Sequence, residues 1–168
     1  MYFPIILGTA REGRQSEKVA RFMLEEVRKA GIEGDIIDAR DYRIEATDNT
    51  KKSEKAKKLA ETIGKADGII IVSPEYNHGY PGELKIMLDL LYEEYYGKHV
   101  LICGVSRGSF GGTRVVEQLR LVCIGLGMLP VSNALYFSNV EEFDENGVNE
   151  HYSKSTQKAV DELKHYSQ

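Results

Sequence analysis

Gly68-Ile69-Ile70-Ile71-Val72-Ser73-Pro74-Glu75-Tyr76-Asn77-His78-Gly79-Tyr80-Pro81-Gly82-Glu83-Leu84-Lys85 is the stretch that decides the fold. An uninterrupted apolar run, Gly68 to Val72, leads into a polar and aromatic segment. Beyond it Leu84, Met87, Leu88 and Leu91 fall at i, i+3, i+4 and i+7, the spacing of one helix face. The pattern predicts a buried strand ending at Ser73, a loop, and a helix opened by Pro81. Proline suits a first helical turn, where no backbone donor is needed. Pro74, Gly79, Pro81 and Gly82 would suffice for a tight turn; Glu75, Tyr76 and Asn77 exceed what a turn requires. In an open parallel sheet, loops at the carboxyl ends of strands are where ligands bind.

The same alternation extends in both directions. Upstream, Ile5-Ile6-Leu7 forms a first strand that runs into Gly8-Thr9-Ala10-Arg11-Glu12-Gly13-Arg14-Gln15-Ser16. A helix carrying Val19, Phe22, Met23, Val27 and Ala30 on one side follows and is closed by Gly31. A short strand around Ile36-Ile37, a polar irregular segment over 40–50, and a lysine-rich helix from about Ser53 to Gly64 complete the first half. Downstream, a fourth strand spans about Val100 to Val105 and ends in Ser106-Arg107-Gly108-Ser109-Phe110-Gly111-Gly112-Thr113-Arg114. A helix with Val115, Leu119, Val122 and Leu126 comes next, then a fifth strand over about Leu129 to Phe137. Asp144-Glu145-Asn146-Gly147 reads as a turn, with a last helix from about Tyr152 or Ser153.

Strands that are apolar throughout, alternating with helices, indicate a parallel sheet covered on both faces. The expected architecture is therefore α/β, three-layered and flavodoxin-like, with five parallel strands in the order 2-1-3-4-5. Its switch point lies between strands 1 and 3, so the two most distinctive loops flank one crevice. The 168 residues suit a single domain over 1–168.

Composition narrows the function classes. A hydrophobic fraction of 42% with 29% charged residues is that of a globular protein, and a net charge of −4 announces no nucleic-acid surface. No apolar run approaches the roughly 18 residues needed to cross a bilayer. The amino end, Met1 to Leu7, lacks a basic region and a cleavage site and reads as strand rather than signal peptide. Cys103 and Cys123 suggest no disulfide framework and fit small core residues of a reduced, cytoplasmic protein.

The first loop offers what an oxyanion needs: hydroxyls from Thr9 and Ser16, the Gln15 amide, guanidinium groups from Arg11 and Arg14, and a turn permitted by Gly13. Alternatively Ser16 caps the helix and the arginines are solvated. It is neither a Walker A loop nor G-x-G-x-x-G, which disfavours nucleoside triphosphate chemistry. The loop from Ser106 to Arg114 has glycines suited either to close ligand approach or to a mobile surface. Tyr92, Tyr95 and Tyr96 fall at the end of the helix after the central loop, as an oligomer surface or as half-buried side chains. The four histidines, His78, His99, His151 and His165, are scattered without metal-ligand spacing, and no G-x-S-x-G elbow occurs.

These motifs resemble the NADPH-dependent FMN reductase family, which includes quinone, chromate and azo-dye reductases of flavodoxin-like fold. The resemblance rests on Gly8 to Arg14 and Pro74 to Lys85, then Leu91-Tyr92-Glu93-Glu94, Gly97-Lys98, Gly111 to Arg114 and Gln118-Leu119-Arg120. It implies that Thr9, Arg11, Arg14, Gln15 and Ser16 hold the FMN phosphate. Pro74, Glu75, Tyr76 and Asn77 would lie along the isoalloxazine ring, and Ser106, Gly108, Gly111 and Gly112 would close its other side. It further implies NADPH or NADH as co-substrate, hydride passage through flavin N5, and a small-molecule acceptor such as a quinone, azo compound or free flavin. No side-chain acid or base is required by that chemistry. Arg107 or Arg114 is a candidate partner for a nicotinamide cofactor phosphate. A homodimer or homotetramer is implied, with the Tyr92 to Tyr96 cluster at its interface.

The segment Asp41 to Asp48 departs from the leucine- and proline-containing one of many relatives, so substrate identity transfers least. The rival class is a flavodoxin-like electron carrier or flavin-binding protein with little turnover; a scaffold that has lost its flavin is a third possibility.

Overall fold

The computed structural model describes residues 1–45, 52–143 and 150–168. Strands β1 (Ile5–Leu7), β2 (Ile36–Asp38), β3 (Gly68–Pro74), β4 (His99–Val105), β5 (Leu129–Pro130) and β6 (Leu135–Phe137) form one sheet. Every pairing among them is parallel, and the order is β2-β1-β3-β4-β5, with β6 also on β4. The helices are α1 (Ser16–Lys29), α2 (Glu54–Lys65), α3 (Gly82–Leu88), α4 (Thr113–Gly125) and α5 (Glu150–Tyr166).

Alternate residues of each strand serve different cores, which is why the strands are apolar at every position. Ile6, Ile69, Ile71, Val100 and Ile102 face a cluster with Leu59 and Ile63 of α2, Leu84 and Leu88 of α3, and Leu119 of α4. Ile5, Leu7, Ile70, Val72, Leu101 and Cys103 face the other side, with Val19, Met23 and Val27 of α1 and Leu163 of α5. The chain thus leaves β1 toward one face and β3 toward the other. β1 and β3 are neighbours in register, Ile5 opposite Ile70 and Leu7 opposite Val72, so their following loops part around a crevice.

The helix limits follow their punctuation. Gly31, at φ +73°, ends the turn after α1 and donates its N–H to the Arg28 carbonyl. Ser53 caps α2 by accepting the Ala56 N–H at 3.1 Å.

Three elements differ from the sequence reading. The fifth strand is broken into β5 and β6: Pro130 sits on the sheet edge without interrupting the ladder, whose last bond there is Val131 N–H to the Val100 carbonyl at 3.0 Å. Beyond it the Ser132 and Asn133 amides turn to the Glu162 carboxylate of α5, at 3.1 and 3.2 Å. Helix α3 stops at Leu88, where i→i+3 bonds from Leu90 to Met87 and from Leu91 to Leu88 tighten the chain. The tyrosines consequently lie around a separate 3-10 turn, Glu93–Tyr95; Tyr95 is fully buried, whereas Tyr92 and Tyr96 are exposed. Helix α5 begins at Glu150. The turn expected at 144–147, like the end of the irregular segment at 46–50, falls outside the described residues.

Candidate functional site

A cleft of about 420 Å³ opens at the carboxyl ends of β1, β3 and β4. The loop after β1 contributes Arg11, Glu12, Gly13, Arg14, Gln15 and, at the start of α1, Ser16. The end of β3 and its loop contribute Pro74, Glu75 and Tyr76. The third wall is Val105, Ser106, Arg107, Gly108, Phe110 and Arg114, with Val140 from the segment after β6.

Ser16 is the first residue of α1 and 1% exposed, and its Oγ has no hydrogen-bond partner. The N-cap residue, Gln15, makes no side-chain cap bond to the first amides of α1. The Lys18 N–H donates to the Gln15 carbonyl at 3.1 Å, but a buried hydroxyl without a partner beside the uncapped first turn of a helix has the chemistry that suits a phosphate or similar anion. Arg11 is exposed, its guanidinium 5.6 Å from the centre of the Tyr76 ring.

Arg14 has another task than the one expected for it. Its Nη1 and Nη2 engage both oxygens of Asp38 at the end of β2, Nη1 also donating to the Thr9 carbonyl at 2.5 Å. Nε and Nη2 reach Glu17 at 3.3 Å. All five guanidinium N–H groups are therefore used within the protein, leaving none to hold an anion. Burial works against the Asp38 charge, but the Arg14 hydrogen bonds, the Arg40 amide and the two arginine charges outweigh it and lower its pKa.

Thr9 is fully buried and does not line the cleft. Its hydroxyl donates to Glu83 at 3.1 Å, and the Ala10 amide donates to the same oxygen at 2.9 Å. Glu83 thereby ties the first loop to α3. Burial would raise the Glu83 pKa; the Ala10 amide, its own backbone N–H, the Thr9 hydroxyl and the Arg43 charge more than reverse this.

The central loop is a two-residue hairpin. Tyr76 and Gly79 exchange backbone hydrogen bonds at 2.9 Å each way, and Asn77 and His78 between them have φ of +49° and +66°. That is the geometry of a type I′ turn, for which asparagine is favoured. Asn77 thus shapes the turn and is absent from the cleft wall. The Glu75 side chain, 7% exposed, accepts Nε of Arg114 at 2.8 Å and the amides of Arg114 and Val115 at 3.1 and 3.3 Å. Arg114 also meets Nε2 of His78 at 3.0 Å, and Gln118 donates to the His78 carbonyl at 2.8 Å. The loop is fastened to α4 at both ends.

Gly111 and Gly112 are likewise absent from the cleft wall. A Cβ on Gly111 would come within 2.8 Å of the Tyr136 backbone, and one on Gly112 within 2.7 Å of the Val105 nitrogen. Their smallness and positive φ serve the packing of the loop on β4 and β6. A Cβ on Gly108 would meet nothing within 4 Å, so that side is open. Ser106 accepts the Val140 amide through its carbonyl at 3.1 Å and holds the Gly108 carbonyl with its hydroxyl at 2.9 Å.

Of the expected site residues the structure therefore brings Arg11, Arg14, Gln15, Ser16, Pro74, Glu75, Tyr76, Ser106 and Gly108 to one cleft, and leaves Thr9, Asn77, Gly111 and Gly112 as its supports. Sequence reasoning missed Asp38, Glu83, Phe110 and Val140. Asp38 and Glu83 stood in the sequence as ordinary charges with no sign of their distant partners. Among the described residues no cluster of His, Cys, Asp or Glu suits a metal ion, and no helix is long and apolar enough to cross a membrane.

A family model for NADPH-dependent FMN reductase matches residues 1–142. The chain is 33% identical over 128 residues to an NAD(P)H-dependent FMN reductase of Schizosaccharomyces pombe, an alignment covering 70% of this chain and 63% of the relative. A second such reductase, from Saccharomyces cerevisiae, is 40% identical over 74 residues, 44% of this chain and 38% of its own. The alignments to these two yeast proteins thus span less than two thirds of their length. Quinone reductase of Escherichia coli is 32% identical over 143 residues, 80% of this chain and 76% of the relative. Among solved structures, the flavoenzyme NAD(P)H:(acceptor) oxidoreductase FerB of Paracoccus denitrificans superposes with a TM-score of 0.82 at 18% identity, covering 99% of this chain and 96% of that one. An archaeal flavodoxin superposes at 0.68 and 12% identity, over 98% and 100% of the two chains, a likeness of fold.

Proposed function

The chain belongs to the NADPH-dependent FMN reductase family, and from that premise we propose an FMN-dependent NAD(P)H oxidoreductase acting on a small flat acceptor such as a quinone, azo compound or free flavin. The observation that carries the reading is the unpartnered, buried Ser16 hydroxyl at the uncapped start of α1, inside a cleft with an aromatic and apolar wall. The donor set suits a flavin mononucleotide: an anion site at one end, and at the other Pro74, Tyr76 and Phe110 to receive a flat ring.

In this reading Ser16, the first α1 amides, Arg11 and Gln15 hold the phosphate. Arg14 and Thr9 position them, Arg14 by clamping the loop to β2 and Thr9 by anchoring it to Glu83. Backbone groups of Pro74, Glu75 and Tyr76 border the ring, and Ser106 with Gly108 borders its other side. When bound, FMN supplies the capacity to accept a hydride from nicotinamide and release two electrons to the acceptor. The residues supply binding, alignment and water exclusion, and no side chain is required as acid or base.

The reading includes a homodimer or homotetramer, in which a second copy would cover exposed Tyr92 and Tyr96. It also includes a cytoplasmic setting, supported by two buried thiols that form no disulfide. An anaerobic stopped-flow mix of FMN-loaded protein with NADPH tests the core of it. Rapid loss of flavin absorbance, restored by a benzoquinone, is the expected result; bound FMN that stays oxidised with both NADPH and NADH overturns it.

A further inference from the structure

Two cavities meet at the loop after β1, and Arg11 belongs to both. The second, about 500 Å³, lies among that loop, the segment after the 3-10 turn Ala39–Tyr42, and the start of α3. Ala10, Ile44, Gly82 and Ile86 give it apolar sides, and Arg11 and Arg43 give it positive charge. Its one carboxylate is Glu83, whose Oε1 is already taken by Ala10 and Thr9 and with which Arg43 forms no ion pair at contact distance among the described residues.

The arginines here differ from those on the far wall of the first cleft. Arg107 is ion-paired with Glu141 at 3.0 Å, and Arg114 is committed to Glu75 and His78. Arg107 and Arg114, expected as partners of a nicotinamide cofactor phosphate, thus each have a carboxylate partner already, Arg107 on the exposed surface. By contrast, among the described residues Arg11, Arg40 and Arg43 make no salt bridge within contact distance. Arg40 donates to the Ala10 and Arg11 carbonyls at 3.3 and 2.7 Å, which adds its charge and holds the loop that separates the two cavities. Asp38 is engaged by Arg14, and the other acids within two residues of Arg11, Arg40 or Arg43 in the chain are Glu12, Asp41 and Glu45.

We propose that this second cavity binds the adenosine 2′-phosphate end of NADPH and makes Arg43 a determinant of NADPH over NADH. The proposal rests on the reductase reading, which seats the nicotinamide end in the adjoining cleft. A phosphate monoester seeks guanidinium groups that no carboxylate has claimed. A flat, weakly polar adenine seeks apolar walls, which Ile44 and Ile86 provide. NADH offers a hydroxyl where NADPH offers the dianion, so only NADPH gains from Arg43, which lines the second cavity alone.

The experiment uses the full chain loaded with FMN, titrated calorimetrically with adenosine 2′,5′-bisphosphate, 5′-AMP and inorganic phosphate. The expected result is a bisphosphate affinity at least about ten-fold above both others, with most of that advantage lost in Arg43→Ala. The KM ratio of NADPH to NADH should rise about ten-fold in the same variant and partly recover in Arg43→Lys. Equal affinity for the bisphosphate and 5′-AMP, or inorganic phosphate binding as well as either nucleotide, overturns the subsite. So does an unchanged KM ratio in Arg43→Ala. FMN uptake and NADH oxidation in the same preparations separate the two readings: if both persist, only the subsite has failed, and if both are absent, the reductase reading has failed and the subsite with it.

Discussion

The carboxylate of Glu75, at the end of β3, caps the helix that begins at Thr113 by accepting the Arg114 and Val115 amides, and it holds the Arg114 guanidinium at 2.8 Å. One side chain thus joins the two loops that face each other across the cleft. Glu75→Ala is expected to remove the cap and leave Arg114 without its carboxylate, costing about 1–2 kcal/mol of stability. FMN affinity should fall with it, because both walls lose their mutual support. Glu75→Gln retains acceptor geometry at one oxygen and should fall between. Chemical denaturation and flavin-fluorescence titration of the three proteins check this; an Ala variant that melts and binds like the parent refutes the capping role.

The Arg14–Asp38 pair gives the first loop its shape, and its titration has a definite sign. Asp38 is held below the usual carboxylate range, so its folded pKa is depressed relative to the unfolded chain. Such a group adds stability above its unfolded pKa, about 4, and that stability is lost as pH falls toward the folded value. Asp38→Asn should therefore lower stability at neutral pH by about 2 kcal/mol and flatten the acid limb of the stability profile. Glu83, also depressed, keeps its share of that limb in the variant. Denaturant midpoints from pH 7 down to pH 3 in the absence of FMN provide the measurement. A variant profile parallel to the parent's at all pH values would show that the pair contributes no titrating stability.

How much of this was readable in the chain depends on the range of the interaction. Runs such as Ile69-Ile70-Ile71-Val72 and the helical spacing of Val19, Met23 and Val27 are local records of burial, so strand, helix and sheet order were recoverable. The break after Pro130 was less visible, because the apolar letters continue through Val131 while Glu162 draws the next amides away. At the site, the loops were recognisable but the division of labour within them was not. Arg11 and Arg14 look equivalent three residues apart; only Asp38, in the neighbouring strand, distinguishes a clamp from an open guanidinium. Asn77 and the Gly111-Gly112 pair likewise read as cofactor contacts, although their backbone φ values show what they do for the chain itself.

The three glycines of the loop after β4 should separate packing from binding. Gly111→Ala and Gly112→Ala each place a Cβ within 2.8 and 2.7 Å of backbone atoms, at φ of +61° and +82°. Each should cost about 2 kcal/mol or more, visible as a lower melting temperature without any ligand. Gly108→Ala meets nothing within 4 Å and should leave the ligand-free melt unchanged within about 0.5 kcal/mol. Its effect belongs instead to FMN affinity, since Gly108 lines the cleft. A strong melting loss for Gly108→Ala, or none for Gly112→Ala, contradicts this assignment.

Ser16 provides the sharpest separation of phosphate from ring. Its Oγ is buried and unpartnered, which is a liability to the ligand-free protein and an asset only when an acceptor arrives. Ser16→Ala should therefore leave the ligand-free protein as stable as the parent or slightly more so. The same change should weaken FMN about ten-fold, equivalent to ~1.4 kcal/mol, while riboflavin, which lacks the phosphate, binds both proteins equally. Arg14→Ala is the informative contrast: it should lower stability before any flavin is added and then weaken FMN and riboflavin together, as expected of a loop clamp whose N–H groups are all spent on Asp38, Glu17 and Thr9. Fluorescence titration with both flavins on the three proteins yields the six affinities. Equal weakening of FMN and riboflavin by Ser16→Ala would move the phosphate away from the start of α1 and require a different orientation of the flavin in the cleft.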